Sequence, residues 1–450
     1  MAMGHNQPTA PFSATLPQGH GQPFYQKLEA ILVEHDFDRF VEQRCTKFYA
    51  RKRGRPSFPP GLYFRILMMG YFEGLGSERA MAWRLQDSLS LRAWLGFGPL
   101  DAVPVYKTLA NTRRRLSLRA HRDVFRWVLC RLGEAGLLCG RTLGIDASTI
   151  EANAALKSLV RRDSGHSYEQ FVDGLLRAAG VANPTPEDRR RIDRTRKKKL
   201  RNDDWVNPHD PQARVIKLKD GRTHLGFKDE QAVDLDTGAV VAVVVHPGDR
   251  GDSQSLPATV KEAKENLISL REGEAQKDKS SRVEEIVGDK GYHANQVLVE
   301  CERQNLRTYI KEPKRGKRRW RGNAAARRAV YRNRRRLQGK RGKRLLRRRG
   351  ELLERPFVHR LDIGGLRRAH VRGQANIQKR EYIAASAQNL GLLMRHRHRM
   401  GTPRSLQGFC APRPQLPWTQ PRAHPTPGPL KQGPGSRLRA PPDPAGKQAA

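Results

Sequence analysis

The stretch RTLGIDAS, residues 141–148, marks the point where the chain changes from a helical to an extended pattern. Apolar residues alternate along it with small or polar ones, which is typical of a β-strand. The carboxylate of Asp146 stands at the end of its apolar part. Because such a carboxylate is poorly solvated unless a cation meets it, the stretch predicts a sheet with an acidic site at its edge.

Four further segments downstream predict strands of the same sheet, namely residues 224–234, 239–246, 285–288 and 306–310. The first two predict a hairpin around the turn Asp236-Thr237-Gly238. A helical pattern that ends near residues 267–270 precedes the third strand, and another from about 294 to 303 precedes the fourth. This order predicts an α/β fold with one mixed sheet and helices on its faces.

The residues before the sheet predict an all-helical domain over 24–140. Apolar residues recur there at spacings of three and four, as at Leu28 and Ile31. Ser77 has the position of a helix N-cap, where its hydroxyl would accept a backbone N–H. Residues 1–23 are rich in Pro, Gly and Gln and are expected to be disordered.

Two basic segments interrupt the second domain, which is predicted to span residues 141–400. The first, about 156–210, predicts a helical insertion. The second, about 311–350, contains 20 Lys or Arg and a single acid, Glu312, and its interleaved apolar residues also favour helix. Residues 401–450 are rich in Pro and Gly and predict a disordered tail.

The composition indicates a polyanionic partner. Lys and Arg number 86 against 45 acidic residues, which gives a net charge of +41. Neutralising phosphates is the usual purpose of such a charge, so we expect nucleic acid to be bound. The five cysteines form no CxxC pair, which argues against a disulfide framework and a zinc finger. No apolar run of membrane-spanning length and no secretory signal are evident, so a cytoplasmic protein is expected.

Three acids are candidates for holding metal. Asp146 and Asp289 each end a predicted core strand, and Glu354 lies in a helical segment, ELLERPF. Neighbouring carboxylates repel each other unless a cation lies between them, and Mg²⁺ prefers oxygen ligands of this kind. Two such ions about 4 Å apart would serve phosphodiester chemistry.

Simpler interpretations of the same acids remain open at this point. Ser148 and Glu151 have the spacing of a capping box, which would make Asp146 a turn residue before a helix. Asp289, before Lys-Gly, is also typical of a turn. Glu354 beside Arg355 is compatible with a solvated surface pair.

At these residues the sequence resembles the DDE transposases of the IS5/IS1182 group of bacterial insertion sequences. The resemblance covers roughly residues 25–408. The stretches that carry it include GRPSFPPGLYFRILMMGYFEGLGSERAMAWRLQDS (54–88), GIDASTIEANAA (144–155), VGDKGYHA (287–294) and RGELLERPFVHRLDIGGLRRAHVRG (349–373).

The resemblance implies a ribonuclease H-like core in which Asp146, Asp289 and Glu354 form the DDE triad with Mg²⁺ or Mn²⁺. Glu351, one turn before Glu354, is the alternative third acid. The resemblance also implies cutting at terminal inverted repeats and joining of the 3′ ends to target DNA. Pro356 departs from the small polar residue usual at its position, which puts the local helix geometry in question.

Double-stranded DNA is therefore the expected partner, and the pairing of two transposon ends implies a homodimer on the bacterial nucleoid. We expect the DNA contacts to be spread over several basic residues: Arg113, Arg114, Arg115, Lys290, Arg360, Arg367, Arg368 and Arg372. The first three lie in the helical region 24–140, which is the expected DNA-binding domain, and they are also compatible with a solvated basic face. The basic runs 190–201 and 311–349 are expected to contact phosphate. Two other functions remain open, a repurposed DNA-binding protein with a dead core and a metal-dependent nuclease that does not join strands.

Overall fold

The computed structural model describes residues 22–50, 57–195, 201–218, 221–271, 283–314, 316 and 318–406. Nearly all of the two segments expected to be disordered, 1–23 and 401–450, lies outside these ranges. No described helix combines the length and apolar character needed to cross a membrane.

Among the described residues before the sheet there are seven α-helices. They are α1 (Pro23–Glu34), α2 (Phe37–Cys45), α3 (Pro60–Glu73), α4 (Glu78–Asp87), α5 (Leu89–Trp94), α6 (Tyr106–Arg115) and α7 (Leu118–Glu134). Ser77 caps α4 as predicted, because its hydroxyl accepts the N–H of Ala80 at 3.1 Å. Ser88 caps α5 in the same way, accepting from Leu91 at 3.3 Å.

The described part of the chain then contains eight strands, six of them in one mixed sheet. They are β1 (Thr142–Glu151), β2 (Val160–Arg161), β3 (Trp205–Val206), β4 (Arg214–Lys217), β5 (Thr223–Asp234), β6 (Val240–Pro247), β7 (Glu285–Gly288) and β8 (Arg307–Ile310). In the sheet β6 pairs with β5, β5 with β1, β1 with β7 and β7 with β8, while β4 pairs with the start of β5. The pairs β1/β7 and β7/β8 are parallel, whereas β5 is antiparallel to its partners. The predicted hairpin, β5 and β6, and the predicted succession of the main strands and helices along the chain are confirmed, whereas β2, β3 and β4 were not predicted.

The prediction that Asp146 ends its strand is wrong, and so is the alternative interpretation of Asp146 as a turn residue before a helix. The capping-box interpretation placed a helix start at Ser148, but β1 continues through Ser148 to Glu151, since each of these residues pairs with β5. Asp146 therefore lies within a long strand. The parallel neighbour β7 ends beside Asp146, because its pairing with β1 covers only residues 142–144 of β1.

Seven more α-helices lie around the strands in the ranges that the structure describes. They are α8 (Tyr168–Ala178), α9 (Pro186–Thr195), α10 (Asp252–Arg271), α11 (Asn295–Arg303), α12 (Ala324–Gln338), α13 (Lys340–Phe357) and α14 (Gln374–His398). The first insertion contains α8, α9 and the β2–β3 pair, and the second contains α12 and most of α13.

Helix α14 joins the helical region to the sheet. It packs on β6 with one side and on α3 and α7 with another, as where Phe125 and Tyr382 meet with ring centroids 5.8 Å apart. Nearly all of its residues from Ile377 to Met394 are buried. The N-terminal helices and one face of the sheet therefore share a single hydrophobic core.

Candidate active site

Asp146 and Asp289 lie at the same level of two neighbouring parallel strands. Gly144 of β1 is in register with Val287 of β7, and each aspartate follows two residues later. Adjacent strands are about 4.8 Å apart, so the two carboxylates are close neighbours at the edge where β7 ends. Burial raises the pKa of Asp146, and the negative charges of Asp289 and Asp252 raise it further, while Arg349 opposes them.

The turn after β7 fixes the carboxylate of Asp289. Its Oδ1 accepts the backbone N–H of Gly291 at 2.8 Å, at the start of the short turn Lys290–Tyr292. The turn interpretation of Asp289 is therefore correct as local structure. It does not exclude a functional role, because the bond occupies Oδ1 with a single donor and Asp289 still lies close enough to Asp146 for its charge to raise the pKa of Asp146 after burial has done so.

A third aspartate at this edge was missed by sequence reasoning. Asp252 begins α10, and a β-carbon placed on Gly291 would lie 2.1 Å from its Oδ2 and 3.1 Å from Oδ1 of Asp289. Only a glycine at 291 leaves room for these two carboxylates to approach. Asp252 stands in PGDRGDS, whose Gly and Asp residues indicate only a turn, so the sequence offered little signal.

A buried polar cluster holds these elements together beneath the acids. Glu230 of β5 is fully buried and accepts from Ser255 at 2.6 Å and from Tyr292 at 2.9 Å. Lys228, nearly buried, donates to Oδ1 of Asp252 at 2.6 Å and to Ser255 at 2.7 Å. Burial acts to raise the pKa of Glu230, but His246, whose Nε2 lies 3.7 Å from Oε2 of Glu230, and the hydrogen bonds from Ser255 and Thr259 outweigh it and lower that pKa. The hydrogen bonds of this cluster therefore hold β5, α10 and the 290–292 turn together.

Helix α13 places a cation on the acids. Nη2 of Arg349 lies 2.8 Å from Oδ2 of Asp146, and the arginine side chain is 19% exposed. The basic run 311–349 was expected to contact phosphate, so this contact of Arg349 with a carboxylate was not predicted. A guanidinium at this position shows that the acidic edge attracts and accommodates positive charge.

The third acid is not gathered with the other two. Glu351 and Glu354 are both exposed on α13. Leu353 is buried against Gly144, and its carbonyl accepts from Nε2 of Gln231 at 2.9 Å. In the ranges that the structure describes, no three His, Cys, Asp or Glu side chains are gathered closely enough to hold a metal ion.

Pro356 does not break α13, which runs on to Phe357. A π-helical turn, Val358–Ile363, follows directly. Because proline has no N–H to donate one turn back, the ladder of hydrogen bonds is interrupted there, and a wider turn is one way of accommodating that loss.

Arg360 lies in the π-helical turn, and its predicted role in DNA binding is corrected by its burial. It is 0% exposed and donates to Asp229 at 2.7 Å, to Gln231 at 3.0 Å and to Glu381 at 2.5 Å. Since two carboxylates share one guanidinium, Arg360 links β5, α14 and the end of α13. Burial and the charge of Asp229 raise the pKa of Glu381 to about 8.

Comparisons with known proteins identify the family. Residues 11–115 match the model of a transposase domain of the DUF772 type, and residues 188–390 match the model of the transposase DDE domain. The chain belongs to the DDE transposases of the IS5/IS1182 type. The matched DDE segment contains Asp289 and Glu354 but begins after Asp146, so the geometric register is the evidence for Asp146. No curated protein and no solved structure shows significant similarity to the chain.

The transposase displays only part of its predicted DNA-binding set on the surface. Arg113 is nearly buried, and its Nε lies 2.7 Å from Glu78, so its predicted contact with DNA is also corrected. Arg114 and Arg115 are exposed at the end of α6, and Arg115 stacks over Tyr49 at 5.2 Å. These two remain available to DNA.

Three further arginines of the transposase contact the C-terminal part of β1, the strand that carries Asp146, or the residues just after it. Arg367 donates to Ser148 at 3.1 Å, Arg368 lies 3.8 Å from Glu151, and Arg372 donates to the carbonyl of Asn153 at 3.2 Å. The side chains of Arg367 and Arg368 are 42% and 62% exposed. Lys290 is exposed beside Asp289. That these four residues contact DNA remains a prediction.

The family depends on a divalent metal, and the acidic edge of this transposase suits one. Asp146, Asp289 and Asp252 offer hard carboxylate oxygens on neighbouring elements, and the charges of the other two raise the pKa of Asp146. A divalent cation would relieve that repulsion. The carboxylate chemistry therefore suits a divalent cation, but in the described ranges these groups are not gathered closely enough to hold one, and Arg349 is the cation beside Asp146.

Proposed function

We propose that Asp146 and Asp289 are the strand-borne metal ligands of this transposase, in a core of ribonuclease H-like topology. The observation that carries the proposal is the register of β1 and β7, which aligns the two aspartates. The order β6–β5–β1–β7–β8, antiparallel at first and then parallel, supports the topology. Glu354 is proposed as the third acid, with Glu351 as the alternative.

The chemistry consists of two phosphoryl transfers. Bound Mg²⁺, or Mn²⁺, would supply charge stabilisation for the oxygens that attack and leave. Asp146 and Asp289 would hold it, and the Asp289–Gly291 hydrogen bond keeps one of these ligands oriented. Water opens a phosphodiester at the element end, and the freed 3′-hydroxyl then attacks the target strand. Positioning of the strand by Lys290, Arg367, Arg368 and Arg372 does much of the remaining work.

The proposed substrates are the terminal inverted repeats and a target duplex, bound by a homodimer on the bacterial nucleoid. Exposed arginines at the end of α6 and beside β1 are suited to phosphates, which give affinity and register without reading sequence. The identity of the repeats is left to experiment.

The test is a cutting and joining assay on a linear duplex that carries the inverted repeats, with Mg²⁺. We expect cleavage and strand transfer by the wild type, loss of both in Asp146→Asn, and no change in Asp163→Asn, whose side chain is 60% exposed on the surface. Salt-sensitive binding without cleavage would support a repurposed binding protein. Cleavage without joining would support a nuclease.

The third acid is tested by two amide variants on the same helix. Glu354→Gln should abolish cleavage while DNA binding stays intact, and Glu351→Gln should keep activity within about threefold, as exposed substitutions away from a site usually do. The reverse result would assign the role to Glu351.

A further inference from the structure

A basic groove runs between α2 and α7, away from the acidic edge. Two cavities of about 480 and 730 Å³ form it. Both are lined by Gln43, Arg44, Arg119 and Asp123. Because the same residues border both, the cavities make one continuous depression, which we call the α2–α7 groove.

Some cations of the groove are paired with acids, whereas others form no salt bridge within the described ranges. Arg126 and Arg131 also line it, but they lie 3.8 Å from Glu265 and 2.6 Å from Glu134. Four other lining cations are exposed: Arg39, Arg44, Lys47 and Arg119. Within the described ranges no salt bridge is recorded for these four. Against them the groove presents two acids, Asp36 and Asp123, so its surplus charge is positive and available to an anion.

Aromatic rings order part of this positive surface. Trp127 and Phe40 line the groove, and the guanidinium of Arg44 lies 5.4 Å from the centre of the Phe40 ring. Stacking of this kind holds a planar guanidinium in place, so less side-chain entropy is lost when a ligand binds. The feature is suited to repeated phosphates rather than to a single compact anion.

The length of α10 gives the distance between the groove and the edge that carries Asp146 and Asp289. It begins at Asp252, at the acidic edge, and Ser269 near its other end lines the groove. At 1.5 Å per residue these two positions are about 26 Å apart along the helix axis. Arg126 of α7 donates to Asn266 of α10 at 2.8 Å, which fixes the groove to this helix. At 3.4 Å per base pair, the separation equals about seven or eight base pairs of duplex.

We propose that the α2–α7 groove binds the phosphate backbone of the transposon-end duplex, about seven or eight base pairs from the phosphodiester that is cut. The proposal rests on the proposed function, since it takes Asp146 and Asp289 as the place of cleavage. Its contacts are to phosphate, so it adds affinity and register without selecting bases.

The first test measures binding of an inverted-repeat duplex by fluorescence anisotropy over a range of salt concentrations. The groove variant carries Arg39→Gln, Arg44→Gln and Arg119→Gln. A control loses the same charge from exposed arginines elsewhere, by Arg162→Gln, Arg177→Gln and Arg303→Gln. Each lost phosphate contact reduces the magnitude of the slope of log affinity against log salt by about 0.9. The slope should therefore fall by about 2 to 3 in the groove variant and by much less in the control. Equal slopes in the two variants would overturn the proposal.

The second test locates the contact. Single methylphosphonates, which remove one phosphate charge each, are placed along the duplex. Neutral phosphates about seven or eight base pairs inside the cut should weaken binding by the wild type and have no effect on the groove variant. An equal effect on both proteins, or no effect at that position, would overturn the proposal. Both readouts are equilibrium binding, so they stand even if the chain cuts no DNA.

Discussion

The guanidinium of Arg349 lies 2.8 Å from the carboxylate of Asp146, so the helix that carries Glu354 neutralises one of the two strand-borne acids. Positions 349 and 354 are about 140° apart around an α-helix. When Arg349 faces the sheet, Glu354 is turned away from it, which agrees with its exposure. Arg349 must therefore move away from Asp146 before a metal can bind there and before Glu354 can face the sheet.

We predict that Arg349→Gln binds divalent metal more tightly than the wild type in the absence of DNA. The competing charge is removed, and an ion pair near the surface contributes about 1 kcal/mol, so the gain should be roughly fivefold. Isothermal titration with Mn²⁺ measures it. Arg348→Gln is the control, because Arg348 is on the same helix but pairs with Asp236. Weaker binding in Arg349→Gln would mean that Arg349 assists the site.

Gln231 is predicted to position α13 on the sheet. It faces Asp146 across the β1–β5 pair, donates to the carbonyl of Leu353 and accepts from Arg360. Gln231→Leu should increase hydrogen exchange over residues 349–357 and slow cleavage by about 100-fold, the usual cost of a small misplacement. DNA affinity should not change.

A matched control for Gln231 is Gln378→Leu, which removes another buried glutamine with two backbone hydrogen bonds, to Val243 and Val245. It should lower stability without raising exchange in 349–357. If both variants slow cleavage equally and neither loosens that segment, Gln231 has only a structural role.

The Asp229–Arg360–Glu381 cluster predicts a pH dependence of stability. The folded chain raises the pKa of Glu381 from 4.5 to about 8, so the folded state holds its proton more tightly than the unfolded state. This tighter proton binding stabilises the folded state fully below about pH 4.5, and the stabilisation is lost as the pH rises to about 8. Thermal unfolding of Glu381→Gln should match the wild type near pH 5 and exceed it by a few degrees above pH 8. Glu300→Gln, exposed on α11, should parallel the wild type at every pH.

Much of the sheet could be predicted because its strands alternate or are wholly apolar and end in turn residues. The placement of Asp146 beside Asp289 needed the register of β1 and β7, which no local pattern contains. Arg349, Arg360 and Arg113 were misjudged for one reason. A charge is assumed to be solvated, and only the folded chain brings Asp146, Asp229 and Glu78 to meet these guanidinium groups.

Asp252 was missed because nothing in the sequence distinguishes it from other turn residues. Its sequence context is that of an ordinary turn, and its nearness to Asp289 depends on α10 returning to the edge of the sheet beside Gly291. The position of the third acid could be narrowed to one helical turn, because a motif fixes the chain position of Glu354 but not the direction of its side chain.

The central claim is that Asp146 and Asp289 hold a divalent metal at the place of cleavage, and replacing a carboxylate by a thiolate tests it directly. Mg²⁺ prefers hard oxygen ligands, whereas softer ions accept sulfur more readily. Cleavage of the inverted-repeat substrate by Asp289→Cys is measured with each metal, beside Asp163→Cys as the surface control. We predict no cleavage by Asp289→Cys with Mg²⁺ and at least partial recovery with Mn²⁺. Full activity of Asp289→Cys with Mg²⁺ would contradict the claim.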